Sequence, residues 1–332
     1  MSTASLNEWL RTALLALLAA LLLDHVVTTT PMSDAVAPAT AEVSTERGKD
    51  PRLTRGLFVD NLMQAAQASK RDDRFRPIGK RTQALWINDY YSKKKVRRAV
   101  RAYTDRANKA GKTPMVAIYA IPGRDCGLHS SGGFRAKVYK KWVRQVARGL
   151  RGQHAIAVVE PDAVAFLGDC AGQGNRAKLL RMTTRLLAGA KAWTYLDAGH
   201  EGWHSPKVMA RRLQRSGIRH ARGFSTNVGN FVRTGTERKY AAQVNRQLRK
   251  LGIRGKRYVI ETARNGAGEA PDLQVCNPPH ARVGRKPKLV FQGALDGYLW
   301  IKHPGESDGP CNGGPASGEW WPEGALRLLG LV

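Results

Sequence analysis

IAVVEPD (156–162) opens with four apolar residues, Ile156 to Val159, and closes on Glu160, Pro161 and Asp162. A run this short, with no polar alternation, reads as a strand buried on both faces, as in a parallel sheet covered by helices. Proline has no N–H to give to a ladder, so pairing weakens at Pro161 and Asp162 falls at the strand end. Two further runs finish the same way. MVAIYAIPGRDC (115–126) leads to Asp125, and YLWIKHPGESDG (298–309) leads to Asp308. Strand ends are where an α/β fold places its chemistry. Three carboxyl groups gathered there suit acid/base work on a polar, uncharged substrate, with sugar polymers as the leading class.

Outward from these runs, apolar and amphipathic stretches alternate. ALWI (84–87), AWTYLDA (192–198), RGFSTN (222–227), RYVIET (257–262) and LDGYLWIK (295–302) read as strands. Helical spacing predicts helices over 92–111, 138–150, 175–190 and 236–251; in the second, Val138, Trp142, Val143, Val146 and Leu150 share a face. Ser205 and Pro206 have the chemistry of an N-cap and first helical residue, for a helix running to about Gly217. The order βαβα implies an α/β fold with a parallel sheet or barrel, and the number of units favours a barrel.

The chain has 332 residues, 42% of them hydrophobic, enough for a sizeable core. Its 55 Lys and Arg against 26 Asp and Glu leave a formal charge of +29. A solvated basic surface accounts for this, as does docking on an anionic cell-wall surface. No basic module interleaved with aromatic residues is present, so nucleic acid is not an expected partner. Arg11 precedes the apolar run TALLALLAALLL (12–23), and Ala35-Val36-Ala37 offers a small-residue cleavage site. We expect an export signal over 1–37, a linker over 38–52 and a single catalytic domain over 53–332. The protein is then secreted or, if the signal is retained, anchored to the membrane.

Four cysteines, Cys126, Cys170, Cys276 and Cys311, suit two disulfides in an exported chain, and three pairings are open. No CxxC spacing suggests zinc. His200-Glu201-Gly202-Trp203-His204 has the HExxH pattern, but Gly199, Gly202 and Pro206 disfavour the helix that such a site needs. No metal and no cofactor is expected.

Asp162 is the candidate general acid. Burial, or a second carboxylate beside it, would keep its proton to higher pH. Capping of the following helix is the competing structural role. Asp125, next to Cys126, is the candidate neighbour, although a turn with Arg124 would also account for it. Asp308 could take the proton of an attacking water, with Glu306 competing for that role. Trp86, Tyr119 and Trp203 lie near strand exits, where sugar rings could stack on them; core packing would equally explain each.

Together these segments resemble glycoside hydrolase family 6, the inverting β-1,4-glucanases. The matching pieces are YAIPGRDCGLHSSGG (119–133), VVEPDAVA (158–165), YLDAGHEGWHSP (195–206), GFSTNVGNF (223–231), TARNGAG (262–268) and LWIKHPGESDG (299–309), in family order over roughly residues 55–330. The resemblance implies a distorted barrel with fewer strands than the usual eight and a cleft at the strand C-termini. It implies Asp162 as acid, Asp125 as its modulator and organiser of the water, and Asp308 as base. It implies Tyr119 pressing on the distorted sugar and Ser131 holding the water. Asp197, Asn227, Lys302 and Glu306 would line the sugar sites, and Trp86 and Trp203 would be platforms on either side of the cut. The disulfides implied are Cys126–Cys170 and Cys276–Cys311. Inversion requires the two working carboxyls to stand about 6.5–9.5 Å apart.

The chain departs from the family pattern at Glu261, where Asp is usual, and at Val275, where Trp is usual. The second departure is expected to weaken glucan binding or shift preference. Short segments after Ser131 and between Cys276 and Cys311 imply an open cleft and internal cleavage of a β-1,4-glucan by a monomer, with crystalline cellulose a poor substrate. The alternative is a weakly active or non-catalytic glucan-binding relative.

Overall fold

The structure, a computed structural model, describes residues 50–128, 130–269 and 274–332. The expected export signal and the linker up to residue 49 lie outside the described residues.

Eight strands form one sheet in the order β1-β2-β3-β4-β5-β6-β8-β7. They are β1 Leu85–Asn88, β2 Met115–Tyr119, β3 Ile156–Val159, β4 Trp193–Asp197, β5 Gly223–Thr226, β6 Arg257–Glu261, β7 Lys288–Gln292 and β8 Leu295–Leu299. Every neighbouring pair is parallel except β7–β8. Helices α1 Gln64–Arg71, α2 Val96–Lys109, α3 Ala136–Leu150, α4 Arg176–Gly189, α5 Pro206–Ser216, α6 Thr234–Lys250 and α7 Pro322–Leu329 accompany the sheet. Seven parallel strands, fewer than eight, therefore carry the barrel, as expected. The antiparallel β7 was not anticipated.

The sheet curls almost closed. The Ala84 N–H donates to Trp300 O at 3.1 Å, and the Trp86 indole N–H donates to Ile301 O at 2.7 Å. These bonds tie the entry of β1 to the exit of β8. Side chains alternate along each strand. Met115, Ala117, Ile156, Val158, Trp193, Tyr195, Val259 and Leu299 pack together inside the curl. Val116, Ile118, Ala157, Val159, Leu196 and Ile260 pack outward against the helices. Continuing the inner rows by two residues places Tyr119, Asp197 and Glu261 at the last inward position of β2, β4 and β6. The fold thus delivers polar side chains to one rim.

The α5 helix starts as its sequence predicts. Ser205 Oγ accepts the Val208 N–H, Pro206 is the first residue, and Gly217 ends the helix in the left-handed conformation at φ 93°. The domain begins before residue 53. Arg52 is buried and donates to the carbonyls of Ala155 and Lys191, and its guanidinium lies 4.4 Å from the Trp193 ring centroid. The linker's last residues are therefore part of the fold.

Candidate active site

The strand exits surround a cleft of about 660 Å³ whose lining includes Trp86, Tyr119, Asp125, Ser130, Ser131, Asp162, Trp203, Lys302, Glu306 and Asp308. Their backbone is unusual. Among the described residues, ten non-glycine residues have positive φ, and five of them (Asp125, Cys126, Glu160, Asp162 and Asn227) follow β2, β3 and β5. Such conformations cost of order 1–3 kcal/mol each and persist where surrounding contacts over-determine them.

Those contacts begin with buried carboxylates. Glu160 is fully buried; its Oε2 accepts the N–H groups of Ala120 and Ile121 at 2.9 and 3.0 Å, and its Oε1 accepts the Tyr139 hydroxyl at 2.8 Å. It straps the exit of β3 to the exit of β2. Asp197, also fully buried, accepts the Asp162 N–H at 2.8 Å, the Gly199 N–H at 3.1 Å and the Ser225 hydroxyl at 3.0 Å. It holds the Asp162 backbone from beneath. Glu261 accepts the N–H groups of Ala263, Ile301 and Lys302, each at 2.7 Å. Its extra methylene relative to Asp leaves it bridging β6 to the exit of β8.

Asp162 opens onto the cleft. Burial raises its carboxyl well above the usual range, and the Asp197 and Asp125 charges raise it further against Lys302. Asp125 Oδ2 accepts both the Ser130 N–H (2.7 Å) and the Ser130 hydroxyl (2.9 Å), and Ser130 Oγ lies 3.1 Å from the Tyr119 hydroxyl. Ser131 lines the same wall, and its carbonyl accepts from Arg124 at 3.1 Å. The hydroxyl linking Asp125 to Tyr119 is that of Ser130. Arg124 orders this loop by donating to Asp89, to the Tyr119 carbonyl and to the Ser130 carbonyl. Its ion pair is with Asp89, while Arg124 and Asp125 form the centre of a turn closed by the Cys126 N–H donating to Gly123 O at 3.3 Å. The turn expected here is thus present beside the carboxyl's contact with Ser130. Gly133 fits because a Cβ there would lie 2.0 Å from Ile121 O.

On the opposite wall, Asp308 receives Arg264 Nη1 at 2.6 Å, Lys302 Nζ at 2.8 Å and the Asn277 N–H at 3.0 Å. Burial pushes its pKa up, but the two cations prevail and hold it well below the usual carboxylate range. It stays ionised yet weakly basic, which is poorly suited to the base role that the resemblance implies. Glu306 pairs with His303 Nδ1 at 2.8 Å and accepts from Gln64 at 2.9 Å. His303 Nε2 faces Ala84 O at 2.6 Å. Both ring nitrogens face acceptors, an arrangement that favours the protonated ring. Burial works against that charge, and Glu306 raises the pKa despite it.

Two expectations need correcting. Asp197 and Asn227 do not line the cleft, because both are fully buried. Asn227 is spent on Val232 and on the Glu261 carbonyl. The aromatic expectations stand up better as geometry. Trp86 meets Tyr119 edge-on at 5.2 Å, Trp203 meets Phe166 edge-on at 4.7 Å, and both tryptophans border the cleft. Val275 also borders it and is 54% exposed, where a Trp would have offered a ring. The HExxH segment is loop and turn: His204 Nε2 meets Ala165 O and the Glu201 N–H goes to Glu237. Disulfides join Cys126 to Cys170 and Cys276 to Cys311. The first pins the loop after Asp125; the second pins Asn277, the partner of Asp308.

The profile of the family described as Glycosyl hydrolases family 6 matches residues 57–330. The chain belongs to this family. Endoglucanase A of Cellulomonas fimi is 42% identical over 284 residues, covering 84% of this chain and 62% of that protein. Endoglucanase 1 of Streptomyces halstedii is 32% identical over 316 residues, covering 90% of this chain and 94% of that protein. The endoglucanase Cel6 of Mycobacterium tuberculosis was solved in complex with methyl-cellobiosyl-4-deoxy-4-thio-β-D-cellobioside. It superposes with a TM-score of 0.80 at 36% identity, covering 85% of this chain and 99% of that one. This family 6 chain thus spans under two-thirds of the length of the Cellulomonas protein.

Proposed function

We propose that this protein is an endo-acting β-1,4-glucanase that hydrolyses internal bonds with inversion, and that Asp162 is its general acid. One observation carries the reading: in a cleft walled by Trp86, Tyr119 and Trp203, a single carboxyl has its proton held by burial and by two carboxylate neighbours. Such a group can protonate a glycosidic oxygen near neutral pH. Asp125 and Ser130, joined to Tyr119, organise the attacking water from the same side. Asp308 serves chiefly to hold Lys302 and Arg264 in place. Only four residues lie between Ser131 and the start of α3 at Ala136, which favours an unroofed cleft and internal cleavage.

The test uses carboxymethylcellulose, following viscosity and new reducing ends together, for the parent chain and its Asp162→Ala variant. A fast viscosity drop with few new ends, absent in the variant, is expected. Binding of glucan with no release of ends by the parent would instead identify a binding protein.

A further inference from the structure

Away from the cleft, a cavity of about 420 Å³ is lined, among the described residues, by Arg97, Arg101, Arg148 and Arg151. Arg97 and Arg101 stand on α2; Arg148 and Arg151 are at the end of α3. Helix packing builds the cluster. Gly149 lies where α3 meets α2, and a Cβ there would come within 2.9 Å of Val100 Cβ. The absent side chain lets the helices close, which brings their arginine rows to one cavity. Arg101 is fixed further by donating to the carbonyls of Arg148 and Arg151 at 3.3 and 3.4 Å. Asp105, one turn along α2, is outside the lining. Four guanidinium groups thus border one cavity with no carboxylate in its wall, a concentration of like charge that an anionic ligand would relieve.

The cavity belongs to a wider field. Helices α3, α4 and α5 carry thirteen Lys and Arg and no Asp or Glu. None of the thirteen lines the cleft. Arg176 is buried and donates to the carbonyls of Pro122 and Gly123, Arg212 pairs with Asp169, and the other eleven have no evident use to a neutral glucan. Guanidinium forks match the paired oxygens of phosphate, and several forks on one cavity match a chain of phosphates better than a single ion. No aromatic side chain lines the cavity to stack a base, as proteins that hold single-stranded nucleic acid require.

We propose that Arg97, Arg101, Arg148 and Arg151 form a docking site for a linear polyol phosphate, a phosphodiester polymer without bases. The docked polymer holds the protein on an anionic surface while the cleft remains open. This inference does not depend on the glucanase reading.

The probe is fluorescent poly(glycerol phosphate), with binding followed by anisotropy over a series of salt concentrations. The quadruple variant Arg97→Gln, Arg101→Gln, Arg148→Gln, Arg151→Gln is compared with a charge-matched control, Lys207→Gln, Arg211→Gln, Arg215→Gln, Arg249→Gln. Because Arg101 also ties α2 to α3, the double variant Arg97→Gln, Arg148→Gln is included, and melting curves of all variants are recorded. Affinity at low salt is expected to fall at least about tenfold in the quadruple variant and partly in the double. The slope of log affinity against log salt should shrink by about 3 in the quadruple, with the control close to the parent. Equal losses in control and quadruple would reduce the patch to general positive charge and overturn the proposal. Tighter binding of an unlabelled single-stranded oligonucleotide of equal charge, measured by competition, would overturn it in favour of nucleic acid. Because binding is read without hydrolysis, a failure here is distinct from a failure of the glucanase assignment.

Discussion

Asp162 holds its proton because of what surrounds it, so its neighbours set the pH range of the reaction. The acid works only while protonated, and the rate falls as pH rises through its pKa. Asp197 raises that pKa while donating nothing to the cleft. Asp197→Asn is therefore expected to move the alkaline limb of kcat/KM to lower pH. An unmoved limb in a folded variant would mean that Asp197 does not set the proton affinity of Asp162. At Asp308 the cations argue against strong basicity. Asp308→Ala is expected to lose activity, about 10²-fold, through misplacement of Lys302 and Arg264, and sodium azide is expected not to restore it. Formation of an α-glycosyl azide with recovered rate would return the base role to Asp308. The strand-exit pattern made Asp162, Asp125 and Asp308 legible as site residues. The resemblance set Asp197 at the sugar sites, whereas it lies buried beneath them; an aspartate ending an inward-facing row looks the same in sequence whether it reaches the cleft or stops one layer below. Ser130 and Ser131 are adjacent and chemically alike, and only the loop fold held by Arg124 and Asp89 distinguishes them.

The strand exits are held by the carboxylates of Glu160 and Glu261, which take backbone N–H groups that the curling sheet leaves unpaired. Glu160 sits two residues from Asp162 and bonds the two residues after Tyr119, so it sets the acid against the opposing aromatic wall. Glu160→Gln keeps the shape but turns an NH2 toward a backbone donor or the Tyr139 hydroxyl. It is expected to lower kcat tenfold or more with little change in KM, and to destabilise the fold by about 1–3 kcal/mol. Loss of stability with unchanged kcat would reduce Glu160 to a structural strap. The parallel strands and their helices were legible because most are short apolar runs or carry a 3.6-residue stripe, β5 (GFST) and β8 (LDGYL) being more mixed. β7 was not. KLVFQ is half-exposed and pairs with β8 alone, so its pattern is that of an ordinary loop. α1 escaped notice because its buried residues are Ala65, Ala66 and Ala68, which carry little hydrophobic signal.

For the molecule as a whole, the two disulfides and the buried acids make separate contributions to stability. The bridges close spans of 44 and 35 residues, and the chain-entropy account gives about 4 kcal/mol for each. Reduction with dithiothreitol is therefore expected to lower the melting temperature markedly and to cost activity, because both bridges flank cleft loops. The buried acids impose a pH dependence with a definite sign. Burial pushes Glu160, Asp197, Glu237 and Glu261 each up to about 7. In the unfolded chain these groups ionise near pH 4. A folded pKa above the unfolded one means that the native state binds more protons between those values, and stability then falls as pH rises, by about 1.4 kcal/mol per pH unit for each group. The raised Asp162 and His303 act in the same direction. Asp308, Asp89 and Glu306 are held below their usual values, so what they contribute is lost only as pH falls into the acid range. The melting temperature should therefore be highest near pH 5 and lower at pH 8, and in Glu261→Gln the difference between the two should shrink. Calorimetry at pH 5 and pH 8 on parent and variant decides it. Equal melting temperatures in the parent would show that the three donors on each of Glu160, Asp197 and Glu261 outweigh burial, so that the strand exits are strapped by charged groups throughout.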